Sequence, residues 1–298
     1  MGRRAIRASA AALAAIAVAT LIGGCGSGTG PTVVGIGFAF SGFNGVDWDI
    51  YTFRGGAAAP LAPAAGDQLN PSLSWDRQQL VFEDRSSGLG QLTMWNTQTN
   101  ALRWVKGTLL DDSDPEISPD GSMIVFVRRD AAGSADLWLC NARGGALVHL
   151  TDFAGNELDP TWSADGRAVY FASDAGGQYN IWRVELQGTG LTRITREAGN
   201  HRWPTLRSSR DELVYASDAD GDWELYYKDA RRVGDPPTRL TDNAAQDIEP
   251  SWLRTGNRNE IMYTTDAGGG FGLRRQMVDP LGPSNPVVVG VPAIQPAF

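Results

Sequence analysis

The chain has 298 residues, with 26 Lys plus Arg against 34 Asp plus Glu and a formal net charge of −8. An acidic chain without basic clusters argues against nucleic acid and against a polybasic membrane-binding face, both of which rely on concentrated Lys and Arg. Two cysteines and two histidines exclude a disulfide framework and leave little material for a zinc site.

In chain order, the first element is an export signal. Arg3, Arg4 and Arg7 precede an Ala-rich apolar stretch from Ala8 to Ile22, which is short for a membrane-spanning helix. It ends in Leu21-Ile22-Gly23-Gly24-Cys25, similar to a bacterial lipobox, so Cys25 is expected to become a lipidated N-terminus. The alternative is an ordinary cleaved signal with an incidental cysteine. The expected organisation is a signal peptide over 1–24, a flexible tether over 25–32 and a folded body over 33–298. Loss of the three arginines would take the net charge to about −11. Cys140, in an apolar stretch, then has no disulfide partner.

Val34 to Phe40, Asp49 to Phe53 and Ala58 to Leu61 read as three strands. From there a repeat takes over. Pro71, Pro115, Pro160, Pro204, Pro250 and Pro296 recur at spacings of 44 to 46 residues, each followed two positions later by an apolar residue. Five copies continue into apolar runs: Leu80-Val81-Phe82, Ile124-Val125-Phe126, Val169-Tyr170-Phe171, Leu213-Val214-Tyr215 and Ile261-Met262-Tyr263. Repeats of about 40 to 50 residues with several short strands indicate a β-propeller. In the copy at Pro160 the strands are expected at Thr161–Ser163, Arg167–Ser173, Asn180–Glu185 and Leu191–Thr195, with Asp165-Gly166 as the first turn.

The chain stops after the opening strand of a seventh copy, while its N-terminal part holds three strands. The fold class is therefore all-β: six blades of four antiparallel strands, the ring closed by the C-terminal strand joining the N-terminal blade. Phe298 is expected to be buried there, contributing roughly 1.5–3 kcal/mol.

Asp159-Pro160-Thr161-Trp162-Ser163-Ala164-Asp165-Gly166, continuing through Val169-Tyr170-Phe171-Ala172-Ser173-Asp174, resembles the repeat unit of the TolB-like propellers built from PD40 or WD40-like repeats, as does Asp114-Pro115-Glu116-Ile117-Ser118-Pro119-Asp120-Gly121. Ser217-Asp218, Thr265-Asp266, Ile181-Trp182, Leu225-Tyr226 and Ile50-Tyr51 mark later parts of the unit. The resemblance implies the fold, and one propeller scaffold carries many activities. Within the family, TolB proteins are periplasmic partners of the Tol-Pal system and carry an α/β domain before the propeller, where this chain has only the tether. A Tol-Pal role is not implied.

The residues before the six prolines are Asn70, Asp114, Asp159, Trp203, Glu249 and Gln295. Radial repetition is expected to converge them near one mouth of the central channel, as a polar rim with one aromatic platform. The alternative is that each bonds backbone N–H groups at a turn. His201, placed in the loop leading to an innermost strand, joins the rim set, whereas His149 reads as a surface histidine on an outer strand. Trp48 and Trp223, like Trp203, are placed in or beside loops; Trp138, Trp162, Trp182 and Trp252 are assigned to the core. Asp84, Asp130, Asp174, Asp218 and Asp266 recur after the second strand and read as turn residues. Asp218, Asp220 and Asp222 form a weak calcium candidate without the EF-hand spacing. No catalytic residue, metal motif or cofactor is assigned, and no nucleophile elbow occurs.

The function expected is a non-enzymatic, lipid-anchored, monomeric protein of the bacterial envelope, facing the periplasm or the cell surface. It would bind a protein or peptide at the propeller face and channel mouth, and no nucleic acid. A carbohydrate-binding protein, or a glycosidase or lyase using carboxylates such as Asp114 and Glu249, is the alternative. A third possibility is an assembly factor acting through the outer blade faces.

Overall fold

The computed structural model describes residues 37–61, 63–106, 110–207, 210–253, 259–278, 284–287, 289 and 291–297. They form six four-stranded antiparallel sheets, one per repeat. The first blade is stitched from both ends: β1 (Phe38–Phe43), β2 (Trp48–Arg54) and β3 (Ala57–Pro60) are completed by β24 (Ala293–Ala297), which pairs with β1. The remaining blades run β4 (Gln68–Leu73) to β7 (Ala101–Lys106), β8 (Asp111–Ile117) to β11 (Val148–His149), and β12 (Glu157–Trp162) to β15 (Thr192–Arg193). They are followed by β16 (His201–Leu206) to β19 (Thr238–Arg239) and β20 (Asp247–Trp252) to β23 (Asn285–Val287). We refer to them as blades one to six in this order. Phe298, Cys25, the signal peptide and the tether lie outside the described residues, and no helix among those described is long and apolar enough to cross a membrane.

The second strands carry the apolar runs because their side chains pack against neighbouring blades on both faces. Leu80, Phe82, Phe126, Phe171, Tyr215 and Tyr263 are buried almost completely. Four of the six outer strands keep only two or three residues, and Leu191 to Thr195 contracts to two.

Each innermost strand begins three residues before its proline, or four in β8, rather than at or after it. In the copy at Pro160 the strand is Glu157–Trp162, and the register against β13 slips by one residue between Leu158 and Thr161. The same slip occurs in all six blades. The proline sits inside the strand at a bulge, where a ladder N–H is not required. As a result His201 and Trp203, placed in a loop from sequence, belong to β16.

In blades two, three and four the turn between first and second strands is built by a serine and an aspartate two residues apart. Ser74, Ser118 and Ser163 each donate to Asp76, Asp120 and Asp165 at 2.6, 2.6 and 2.7 Å, while the same hydroxyls accept from Gln79, Met123 and Ala168 N–H. These bonds hold the Asp120 and Asp165 carboxyls below their usual range.

Candidate functional site

The six residues before the prolines share one conformation. Asn70, Asp114, Asp159, Trp203, Glu249 and Gln295 have φ between 49° and 56°, in the left-handed region that non-glycine residues seldom occupy. Each such residue costs on the order of 1–3 kcal/mol and persists only where the surroundings over-determine it. What holds them is a belt of bonds from blade to blade. Trp203 N–H donates to Asp159 Oδ2 (3.2 Å), Gln295 N–H to Glu249 Oε2 (3.1 Å) and Asn70 N–H to Gln295 Oε1 (2.9 Å). Asn70 Nδ2 donates to Asp114 Oδ1 at 2.5 Å, and Gln295 Nε2 to Asn70 Oδ1. Four of the six joints between these residues are thus bonded from one blade to the next. Many of their polar atoms are committed to joining blades, and the backbone N–H groups they satisfy belong to the neighbouring repeat rather than to a local turn.

Trp203 departs from this pattern. Its indole offers a donor and no acceptor, so it cannot receive an N–H from blade six. It packs edge-on against Trp223 instead, with ring centroids 5.0 Å apart and planes at 70°. The Arg202 guanidinium lies 4.9 Å from the Trp203 ring centre and 4.7 Å from that of Tyr179, while pairing with Asp159 through Nε and, at 3.0 Å, through Nη2. Tyr179, Arg202, Trp203 and Trp223 are all half-buried. They come from β16 and from the residues leading into the third strands of blades four and five, at the channel end that carries the loops between second and third strands. Burial raises the Tyr179 phenol above its usual range. Sequence reasoning named Trp203 and Trp223 but missed Tyr179. The signal lay in the arginine before Trp203, a planar cation suited to stacking between rings.

The opposite end of the channel is narrow. Trp75, Trp162 and Trp252 contribute to a space of about 40 Å³, room for a few waters. Trp162 and Trp252 are core residues as expected, at 5% exposure each, whereas Trp138 and Trp182 are only half-buried.

Two positions earlier on the innermost strands stands a second ring, which the sequence did not reveal: Gln68, Asp112, Glu157, His201, Asp247 and Ala293, none more than 2% exposed. Three of its members meet a threonine that closes the preceding blade. Thr151, Thr195 and Thr241 accept from Leu137, Ile181 and Leu225 N–H at 2.9 Å each, which leaves the hydroxyl proton for the next blade. Thr195 Oγ1 lies 2.8 Å from His201 Nδ1. Thr151 bonds Glu157, and Thr241 bonds Asp247. His201 is therefore an internal joint residue and not part of the open rim. Burial lowers its pKa, so it is held neutral. Glu157 accepts from Ser173 Oγ at 3.0 Å, its Oε2 has no hydrogen-bond partner, and burial pushes it up to about 7, with Asp136 adding to the shift.

The aspartates after the second strands are turn residues. Asp174 and Asp218 accept from the N–H of Asn156 and Asn200 at 2.7 and 2.6 Å, and Asp266 from Gln246 N–H at 2.8 Å. Asp218 is thereby occupied and Asp220 pairs with Arg239 at 2.5 Å, so the calcium candidate does not assemble. Among the described residues no group of three or more His, Cys, Asp or Glu could hold a metal ion. His149 lies on β11, stacked on Trp138 with centroids 4.5 Å apart and paired with Asp136 at 3.2 Å.

Residues 68–233, more than half of the chain, match the PD40 family, described as the TolB beta propeller domain. Protein TolB homolog of Chlorobium luteolum is 28% identical over 127 residues, which are 42% of this chain and 28% of that protein. Uncharacterized peptidase YuxL of Bacillus subtilis is 28% identical over 90 residues, 30% of this chain and 14% of its own. The chain thus spans less than a third of the length of these curated relatives. The crystal structure of TolB from Acinetobacter baumannii superposes with a TM-score of 0.75 at 17% identity, covering 90% of this chain and 67% of that one. This chain belongs to the TolB beta propeller family.

Proposed function

We propose that this protein is a non-enzymatic envelope protein, exported and anchored through a lipid on Cys25, whose propeller binds a protein or peptide segment at the channel mouth. The observation that carries the reading is the cluster of Tyr179, Arg202, Trp203 and Trp223. Half-buried aromatic residues around an arginine are the composition that anchors protein partners. They surround Trp203, the ring position whose side chain has no acceptor for the next blade's N–H. Asn70, Asp114, Asp159, Glu249 and Gln295 form the polar remainder of the rim. Much of their role is to hold that surface rigid.

The family supports a propeller of the TolB type. The relative named as a peptidase matches over only 14% of its length, so its activity gives this chain no hydrolase. A polar rim with one aromatic platform would equally suit a sugar, which makes glycan binding the second reading.

The test is capture from a bacterial envelope extract by the full chain and by a Trp203→Ala/Trp223→Ala variant, followed by direct titration of the captured protein after its purification. A partner bound by the parent and at least tenfold weaker on the folded variant is expected. Equal retention by both, or binding of glycans alone on an array, would overturn the protein-binding reading.

A further inference from the structure

The six blades are not equivalent at one inward position of the third strand. There, the residue paired with the last aromatic of the second-strand run is Tyr51, Trp138, Trp182 or Tyr226 in four blades and Thr93 in another. In blade six it is Arg274, opposite Tyr263. An arginine cannot fill the space of an indole or phenol stacked between blades, and a cleft of about 300 Å³ opens beside it. Its walls include Thr241, Asp247, Tyr263, Arg274, Gln276 and Ser284, all from blade six and from the end of blade five. The volume lies at the lower end of the range of about 300 to 1,000 Å³ typical of small-molecule sites.

The chemistry of the walls is specific. Arg274 is half-buried and makes no hydrogen bond or ion pair among the described residues. Its charge is felt by Asp247 and Tyr263, but its N–H groups are not committed to either, and a partly desolvated guanidinium of this kind is complementary to a carboxylate, which it can grip through two parallel N–H bonds. Tyr263 Oη and Ser284 Oγ, 2.7 Å apart, offer a hydroxyl pair close to it in sequence and space. The cleft is held at a fixed width, because Gln276 Nε2 donates to Leu240 O across the blade joint at 2.8 Å. Two acids also line it: Asp247, engaged by Thr265 and Asn243 at 2.5 and 2.7 Å, and exposed Asp242, paired with Arg239 at 3.1 Å. They disfavour an occupant with several negative charges and favour one that carries a donor beside its single carboxylate.

We infer that the cleft between blades five and six is a binding site for a small monocarboxylate bearing a hydroxyl or amine, held by Arg274. It is separate from the channel mouth and stands or falls independently of the function proposed there.

The experiment is thermal unfolding of the full chain with lactate, alanine, acetate or citrate at matched ionic strength, for the parent, Arg274→Gln and Arg274→Trp. The tryptophan variant restores a residue type that blades three and four already accommodate, so a folded protein with a filled cleft is expected. Lactate or alanine should raise the parent's midpoint in a saturable way and more than acetate or citrate. Arg274→Gln should weaken that response at least tenfold, and Arg274→Trp should abolish it. No saturable response to lactate or alanine, an equal response in the parent and Arg274→Gln, or a preference for citrate would overturn the assignment.

Discussion

Two rings encircle this propeller only two residues apart along each innermost strand, and they do different work. The ring before the prolines is half-open, strained in backbone and tied side chain to neighbouring N–H. The ring two positions earlier is sealed, and its polar members are tied to the preceding blade, through its closing threonine or, at Gln68, through Ile50 N–H, or to groups within their own blade. Both fasten blades, yet the first is mostly half-buried at the channel mouth while the second is buried, with Asp247 also walling the cleft beside Arg274. A repeat protein can thus secure its closure twice and relax one fastening locally, at Trp203, without losing the ring.

The most severe way to break this comparison is to remove a member of both rings at once. Deleting residues 293–298 takes away Ala293 and Gln295 together with the strand that pairs β1. It should remove most of the ~5–15 kcal/mol available to a folded domain, seen as loss of a cooperative denaturant transition. A truncated chain with the parent's midpoint would mean that β24 does not close the ring.

Asp159→Ala tests the open ring alone. It leaves Arg202 without its carboxylate and Trp203 N–H without an acceptor, at a cost of about 3 kcal/mol. Asp159→Asn, which keeps an acceptor for the N–H, should recover part of that loss. Equal effects of the two would show that the ion pair dominates and the belt bond contributes little.

Glu157→Gln tests the sealed ring. Burial raises this carboxyl from 4.5 to about 7, so the folded state retains a proton that the unfolded chain has already released. Its contribution to stability is fully present below about pH 4.5 and is lost as pH rises through 7, a difference of about 3 kcal/mol. Glutamine, which Gln68 shows to be accepted at the equivalent position, should gain roughly that much at pH 8 and little at pH 4. A gain that does not depend on pH would assign the effect to packing.

Thr195→Val is the mildest break. It strands Ile181 N–H and His201 Nδ1 inside the protein and should cost about 2 kcal/mol. His201 has its pKa lowered by burial, so its part of the stability falls as pH drops below about 6.5, the reverse of Glu157. Unfolding followed at pH 5.5 and 8 for Thr195→Val and Glu157→Gln together would separate the two windows.

Much of this architecture was legible because a period of 44 to 46 residues leaves few alternatives to six blades, and because a chain that starts with three strands and ends with one closes most simply on itself. Recurrence also identified the turn aspartates Asp174, Asp218 and Asp266 correctly. It misplaced His201, since a proline taken as the start of a strand hid the three strand residues before it. It passed over the sealed ring because Gln68, Asp112, Glu157, His201, Asp247 and Ala293 share no residue type. Their common property is burial at a blade joint, which no single repeat contains.

The sequence by itself therefore determined the number of blades, the seam between the chain ends and the recurring positions before the prolines, because hydrophobic period and turn chemistry are local and repeat. Tertiary structure alone decided which of those positions remain open. The bulge at each proline, the bond from Asp159 to the next blade's Trp203 and the cleft beside Arg274 all depend on a neighbouring repeat that is distant in sequence and adjacent only once the ring has closed.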